Sequence, residues 1–405
     1  MKKIIDDDVI PNEAGTSERP ELLARIIETE DAIQDASKKE IVFADPLVSW
    51  SVADHSAGIV RTSGIVVIQG QKGVHKSRFA EQLASCLICR KDIHGNFLKL
   101  ETSEATNFVV YIDTERNTAE ELPAAVQRMK RNAGYRIEDK LQHFRTISLK
   151  NLDMEEKRQA LNDYLQYIRA EMRTAKVNDN LIVFVDVLTD IAGINDAEKS
   201  ISTINYLNQL SEKFGTCFVL VIHENPGSEK ARGHTGTEVV NKASAVLSLS
   251  KQRDGNGVPT NLIKLSFVHL RNSAGLPCEY LEYDADTNLL KLADANTARK
   301  ARETEAQTGS AQKVIQTLQD MFRIESKVYR MALFARLISE HGISEATAKR
   351  SVKSILDTGF TIDCGHMTGK LHAYMAKGAE TYYTLKEDAT QKTDLDTEET
   401  TDEHD

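Results

Sequence analysis

The 405-residue chain has few of the residues that interrupt regular structure, and its 7 prolines and 21 glycines exclude collagen-like and low-complexity readings. It also lacks a long hydrophobic run. The longest apolar stretches, such as 181–185 and 217–222, fall far short of the roughly 20 residues that a bilayer span needs. The amino terminus turns acidic after Ile4 and Ile5, where a secretory signal would continue through a longer apolar stretch. The expectation is a cytosolic protein without a membrane segment. Cysteine is sparse. Cys86, Cys89, Cys217, Cys278 and Cys364 are odd in number and scattered, which argues against a disulfide framework and predicts reduced thiols packed in the core. Cys86 and Cys89 make a C-x-x-C pair, but without a second pair or spaced histidines, packing is the expected role rather than metal or redox chemistry.

A hydrophobic share of 40% with 28% charged residues describes a globular chain, long enough for two or three folded units and tails. The net charge of −10 is unevenly placed. Residues 387–405 hold nine acids against one lysine, a net of −8, so this acidic tail reads as a solvated, disordered end. Residues 1–40 read as an arm with one helical stretch at 20–37, where Leu22, Ile26, Ile27 and Ile33 recur at helical spacing.

From 41 to 295, short β-rich runs alternate with amphipathic helical stretches, which predicts an α/β fold with a mostly parallel sheet between helices. Strands are expected at 64–69, 108–113, 181–186 and 217–223, and helices at 76–90, 119–133, 154–173 and 200–214. After 244, runs at 245–249, 263–269 and 279–283, separated by turns such as 254–257, suggest antiparallel strands finishing the sheet. Residues 296–311 lack an apolar stripe and read as a linker to a second domain at 312–386.

The strongest motif is Gly70-Gln71-Lys72-Gly73-Val74-His75-Lys76-Ser77, after an apolar strand and at the opening of a helix. A glycine-rich turn there aims backbone N–H groups at a phosphate, and the helix dipole adds to the attraction. The lysine bridges phosphates and the Ser77 hydroxyl can hold Mg²⁺. His75 stands where the motif has its second glycine, although histidine enters positive φ more readily than most residues. The strand at 108–113 runs into Asp113-Thr114-Glu115, whose carboxylates can orient or deprotonate an attacking water. The strand at 181–186 closes on Asp186, placed to hold Mg²⁺ through its water shell, and the strand at 217–223 closes on His223, where a γ-phosphate sensor would sit. Each taken alone also reads as an ordinary polar residue opening a loop.

In this order, the phosphate loop, the segment ending in Glu115, the Asp186 strand and Ala231-Arg232-Gly233-His234 resemble the RecA-type ATPases, and most closely the RepA-like hexameric helicases. The resemblance spans about 42–292 and implies ATP and Mg²⁺ as cofactors, Glu115 as catalytic carboxylate, Asp186 as the metal-associated acid and His223 after the next strand. It also implies an arginine that reaches a neighbouring subunit's nucleotide. Arg232 is one candidate, and Arg271, in His269-Leu270-Arg271-Asn272, is the other; His269 replaces the family's lysine. Loops at 188–198 and 224–237 correspond to channel-lining segments, and the second carries Lys230, Arg232 and His234 for contacts to a nucleic-acid backbone.

Residues 312–386 carry 11 Lys or Arg against 7 acids, and read as helices at 314–322 and 329–340 and a third capped by Ser344, followed by strands at 360–363 and 381–385 around a turn-rich 365–378. On the third helix Ala348, Val352, Ile355 and Leu356 form an apolar face, with Lys349, Arg350 and Lys353 on the other side, as a recognition helix would present them. This part resembles a winged-helix domain. The combined expectation is a P-loop ATPase acting on DNA, single- or double-stranded, as a ring or other homo-oligomer in replication or mobilisation of a plasmid or mobile element. A nucleotide-switched DNA-binding regulator, and a loader or recombination accessory ATPase without strand separation, are the alternatives.

Overall fold

The computed structural model describes the chain apart from residues 1–17, 53–54, 91, 93–94, 96, 192–196, 225–232, 255–257, 272–275, 359–360, 366, 376–379 and 387–405. The chain divides into two units, Met1–Pro46 and Leu47–Asp405. In the first, the helix expected at 20–37 forms as α1 (Glu18–Ser37), and its Leu22, Ile26, Ile27 and Ile33 are all exposed.

The second unit begins with β1 (Val48–Val52), β2 (His55–Val60), β3 (Gly64–Gly70), α2 (Lys76–Leu87), β4 (Leu100–Thr102), β5 (Asn107–Asp113), α3 (Glu121–Asn132) and β6 (Phe144–Ser148). It continues through α4 (Met154–Thr174), β7 (Asn180–Asp186), α5 (Ala197–Phe214), β8 (Thr216–His223), α6 (Gly233–Lys242), β9 (Ala245–Arg253), β10 (Pro259–Leu270), β11 (Glu279–Asp284) and β12 (Leu289–Leu292). Among the described residues, nine strands form one sheet in the order β12-β11-β10-β9-β3-β8-β7-β5-β6. The six from β9 to β6 run parallel and β10 to β12 are antiparallel, which makes this an α/β fold.

The four predicted strands form because each is a continuous apolar run buried on both faces, as a parallel sheet requires. Successive side chains alternate between two cores. Val66 and Ile68 pack with Phe79 and Leu83 of α2 and Met129 of α3 on one face. Ile65 and Val67 pack with Leu161 and Leu165 of α4, Leu207 of α5 and Val239 of α6 on the other. Burial of such side chains contributes about 1.5–3 kcal/mol each. A capping box starts α4, where Asp153 accepts from the Glu156 N–H and Glu156 from the Asp153 N–H, each at 2.9 Å.

Several expectations need correction. Strand β9 pairs in parallel with β3, so the antiparallel part begins one strand later than expected. The small β2-β1-β4 sheet and strands β6 and β12 carry no sequence signal strong enough to predict them, being short or at an edge. Residues 233–237, expected in a loop, open α6. The expected linker lies inside one helix, α7 (Ala295–Phe322), capped by the Asp294 carboxylate, which accepts from the N–H groups of Asn296 and Thr297 at 3.0 and 3.1 Å. Ala298 and Ala301 of this helix are buried with Leu262 and Tyr280, and small side chains there give little hydrophobic periodicity to read.

Beyond α7 come β13 (Val328–Tyr329), α8 (Arg330–His341), α9 (Glu345–Thr358), β14 (Thr361–Asp363), β15 (Thr368–Met375) and β16 (Thr381–Lys386). The four strands make an antiparallel sheet ordered β13-β16-β15-β14. Strand β15 occupies the stretch expected to be turn-rich. Val314, Leu318, Phe322, Val352, Leu371 and Tyr383 share its core. Among the described residues, no helix is long and apolar enough to cross a membrane.

Candidate functional site

The chain leaves β3 through α2 toward β5 on one side, while α6 carries it from β8 across to β9 on the other. Connections that diverge in this way leave a crevice at the carboxyl ends of the strands, where α/β sheets place ligands. The predicted motif residues fall there.

Gly70 ends β3 where a side chain has no room: a Cβ would stand 2.3 Å from the Leu249 carbonyl oxygen of β9. Gly73 holds φ +81°, a left-handed conformation that favours glycine. His75 also lies in the left-handed region, at φ 64° and ψ 29°, and its ring stacks on Tyr283 of β11 with centroids 4.4 Å apart and planes 13° from parallel. The residue that departs from the motif therefore keeps the backbone conformation a glycine would take, held by a ring contact. Burial, with Lys251 and Arg78 nearby, lowers the His75 pKa.

Lys76 and Ser77 open α2. Lys76 is 5% exposed, and its Nζ donates to the Gln71 carbonyl at 2.8 Å and lies 3.2 Å from His223 Nδ1. Burial pushes its pKa down to about 8, opposed by the carboxylates of Asp186, Glu224 and Glu115. The Ser77 hydroxyl donates to Asp186 Oδ1 at 3.1 Å. Asp186 Oδ2 accepts from the Tyr111 hydroxyl at 2.8 Å and from Arg116 at 3.0 Å. Burial raises the Asp186 pKa, while Arg116, Tyr111 and Ser77 oppose the shift. Glu115 Oε1 lies 3.8 Å from His223 Nε2, and the nearby imidazole, joined by Lys76 and Lys72, holds the Glu115 carboxyl below its ordinary pKa.

Lys76, Ser77, Glu115, Asp186 and His223 thus meet at the carboxyl ends of the central strands, with Gln71, Lys72 and Val74 in the loop beside them. Arg271 does not join them. It follows β10, whose last residue pairs with Ala245 at the start of β9, so it lies at the opposite end of the parallel strands from the phosphate loop. Lys230 and Arg232 lie outside the described residues. Lys349, Arg350 and Lys353 are exposed on α9, where the Thr347 N–H donates to Ser344 Oγ at 3.3 Å as the expected cap, and Lys349 pairs with Glu345 at 2.7 Å.

Sequence reasoning missed a buried ionic web behind these residues. Arg116 reaches Asp113 and Glu81 at 2.6 Å each and Asp186 at 3.0 Å, while Glu81 also receives Arg78 and Arg128 at 3.1 and 3.0 Å. Burial would lower the Arg116 pKa, but Tyr111, Asp186, Glu81 and Asp113 together raise it. The two acids read as a pair at the end of β5 have separate partners. Asp113 is bound by Arg116 and by the N–H groups of Glu115 and Arg116, leaving Glu115 turned toward His223. Glu224 is likewise buried, accepting from the Ser248 hydroxyl at 2.8 Å. Only Arg116, directly after the acids, had any local signal. A cavity of about 640 Å³ lined by Leu87, Phe108, Arg145 and Met172 opens elsewhere, where β5 and β6 begin.

The donor set suits a nucleoside triphosphate with a hard cation. A buried ammonium and a helix N-terminus face the phosphate position, and a hydroxyl and a carboxylate oxygen offer the hard ligands Mg²⁺ takes. No protein-family model matches the chain, and no curated protein does either. Among solved structures the chain is similar to the crystal structure of the RadB recombinase, at 14% identity and a TM-score of 0.39, covering 58% of this chain and 93% of that one. The sheet order and side-chain geometry, rather than this likeness, define the fold and the site.

Proposed function

We propose that the protein is a RecA-type P-loop ATPase that works on DNA as a homo-oligomer, in the manner of a RepA-like helicase or motor. The observation that carries the reading is the Ser77 hydroxyl on Asp186 Oδ1 at 3.1 Å, beside a buried Lys76 at the start of a helix that follows a glycine-dependent turn. Lys76 and the α2 N-terminus bind the phosphates. Ser77 and Asp186 would hold Mg²⁺, which would supply charge neutralisation when bound. Tyr111 and Arg116 occupy Asp186 Oδ2 and so keep the carboxylate turned with Oδ1 toward Ser77. Glu115, ionised beside His223, takes the proton of the attacking water. His223, within reach of both Lys76 and Glu115, links the phosphate side of the site to the base.

Arg232 or Arg271 completes the site of a neighbouring subunit; Arg271 lies at the end of the parallel strands away from its own phosphate loop, so any nucleotide it serves is a neighbour's. The C-terminal helices and sheet act as a winged-helix module that brings DNA to Lys349, Arg350 and Lys353. The test is ATP hydrolysis by the purified chain with and without single- and double-stranded DNA, with Glu115→Gln as control. DNA-stimulated turnover that is lost in Glu115→Gln is the expected result. Tight ATP binding with no turnover under any DNA condition would refute the motor and leave a nucleotide-switched regulator.

A further inference from the structure

The outer face of the C-terminal sheet carries a row of aromatic rings that the nucleotide site does not use. Along β15 and β16 the opposed pairs Tyr374 with Tyr382, His372 with Thr384 and Lys370 with Lys386 lie on one face. Leu371 and Tyr383 turn to the other face, into the core with α9. Strand β13 extends the row, because Tyr329 stands opposite Tyr382 while the buried Val328 stands opposite Tyr383. Ring centroids are 5.2 Å apart for Tyr329 and Tyr382 and 5.9 Å for Tyr374 and Tyr382. The Lys327 ammonium lies 5.4 Å from the Tyr382 ring centre. Tyr374 is 40% exposed and ends the row.

We propose that this face binds single-stranded nucleic acid, with unpaired bases stacking on the tyrosine row and phosphates held by Lys327 and Lys386. Tyr329, Tyr382 and Tyr374 stand on three adjacent strands, Tyr374 with its ring exposed, and every base has a π face that can stack on an exposed ring. Lys327 lies beside the middle ring, and Lys370 and Lys386 stand opposite each other four residues along β15 and β16 from Tyr374 and Tyr382. Of the described acids beside this face, Glu380 accepts from the Tyr382 hydroxyl at 3.0 Å, and Asp363 accepts from the Gly365 N–H and the Thr368 hydroxyl. The ligand is single-stranded because duplex bases are stacked on one another and closed to the rings. The site is also separate from Lys349, Arg350 and Lys353, since α9 packs on the opposite face of the sheet.

The experiment uses the full chain, a fluorescent thymidine oligonucleotide of about 15 residues and a duplex of the same length, followed by anisotropy. Tyr374→Ala weakens oligonucleotide binding roughly 5- to 150-fold and Tyr374→Phe keeps it within about twofold, with duplex binding unchanged in both. Photocrosslinking of a bromodeoxyuridine oligonucleotide, mapped by mass spectrometry, places adducts on Tyr329, Tyr374 or Tyr382. Unchanged affinity in Tyr374→Ala together with crosslinks confined to other elements would overturn the proposal. So would equal losses in the Ala and Phe variants. Loss of self-association in place of oligonucleotide binding would assign the face to a protein and overturn it likewise.

Discussion

Raising the pH above 8 separates the ammonium of Lys76 from its task. In the nucleotide-free protein burial holds this group at a pKa of about 8, whereas phosphate oxygens beside it restore a value near that of a free lysine. Nucleotide binding then requires proton uptake, and apparent affinity for ATP falls as the free site deprotonates. With a free-state pKa of about 8, the dissociation constant rises roughly 11-fold by pH 9 and roughly 30-fold by pH 9.5, or about 1.4 kcal/mol per pH unit. The terminal phosphate loses its last proton near pH 6 and does not contribute in that range. Calorimetry in two buffers of different ionisation heat counts the protons directly, with about half a proton taken up at pH 8 and nearly one at pH 9. The same shift acts on stability. Because the folded pKa is depressed, the unfolded chain binds more protons between about pH 8 and 10.5, so the nucleotide-free fold gains stability as pH rises through that window. Lys76→Arg, whose charge does not titrate there, flattens the affinity profile. A wild-type profile that is flat from pH 7.5 to 9.5, with no proton uptake, would show that the charge of Lys76 does not govern nucleotide affinity.

Glu115→Gln retains ATP affinity and lowers turnover by roughly 10²- to 10⁴-fold, read from binding and steady-state hydrolysis in parallel; near-normal turnover would move the base elsewhere. Arg116→Ala leaves the carboxylates of Asp113 and Asp186 without their shared cation and destabilises the fold by about 3–5 kcal/mol, seen as a lower denaturant midpoint; an unchanged midpoint would contradict a structural role for the ionic web. His75→Ala keeps the left-handed backbone and loses the stack on Tyr283, costing about 0.5–1.5 kcal/mol. His75→Gly relieves the strain of about 1–2 kcal/mol while losing the same stack, so it stays near neutral; a loss as large as that of the alanine variant would show that the backbone is unstrained.

What could be read from the sequence was what is local. The phosphate loop is one contiguous strand, turn and helix, so its chemistry and its placement are written in adjacent residues. The strands ending at Asp113, Asp186 and His223 were visible because each is an unbroken apolar run with a polar residue at its carboxyl end, and a parallel sheet brings such ends together. Strand β6 was not visible: Phe144–Ser148 places an arginine and two hydroxyls on an edge strand, where only part of one face needs to be apolar. Neighbour order was equally hidden, since periodicity names elements and not partners, and β9 therefore emerged parallel to β3 against expectation.

The ionic web shows the limit most clearly. Glu81 sits on α2 one turn after Ser77 and looks like an ordinary helical acid, yet it is buried because Arg78, Arg116 and Arg128 converge on it from two helices and a strand end. No window of sequence contains that arrangement. His75 carries the same lesson into the site itself. Judged locally, replacing a glycine in a phosphate loop removes conformational freedom and weakens the cradle. The fold supplies from β11, some two hundred positions along the chain, a tyrosine ring at stacking distance that favours the left-handed backbone glycine would have taken freely. A departure from a motif thus measures a loss only when the rest of the chain offers no compensating contact, and here Tyr283 offers one.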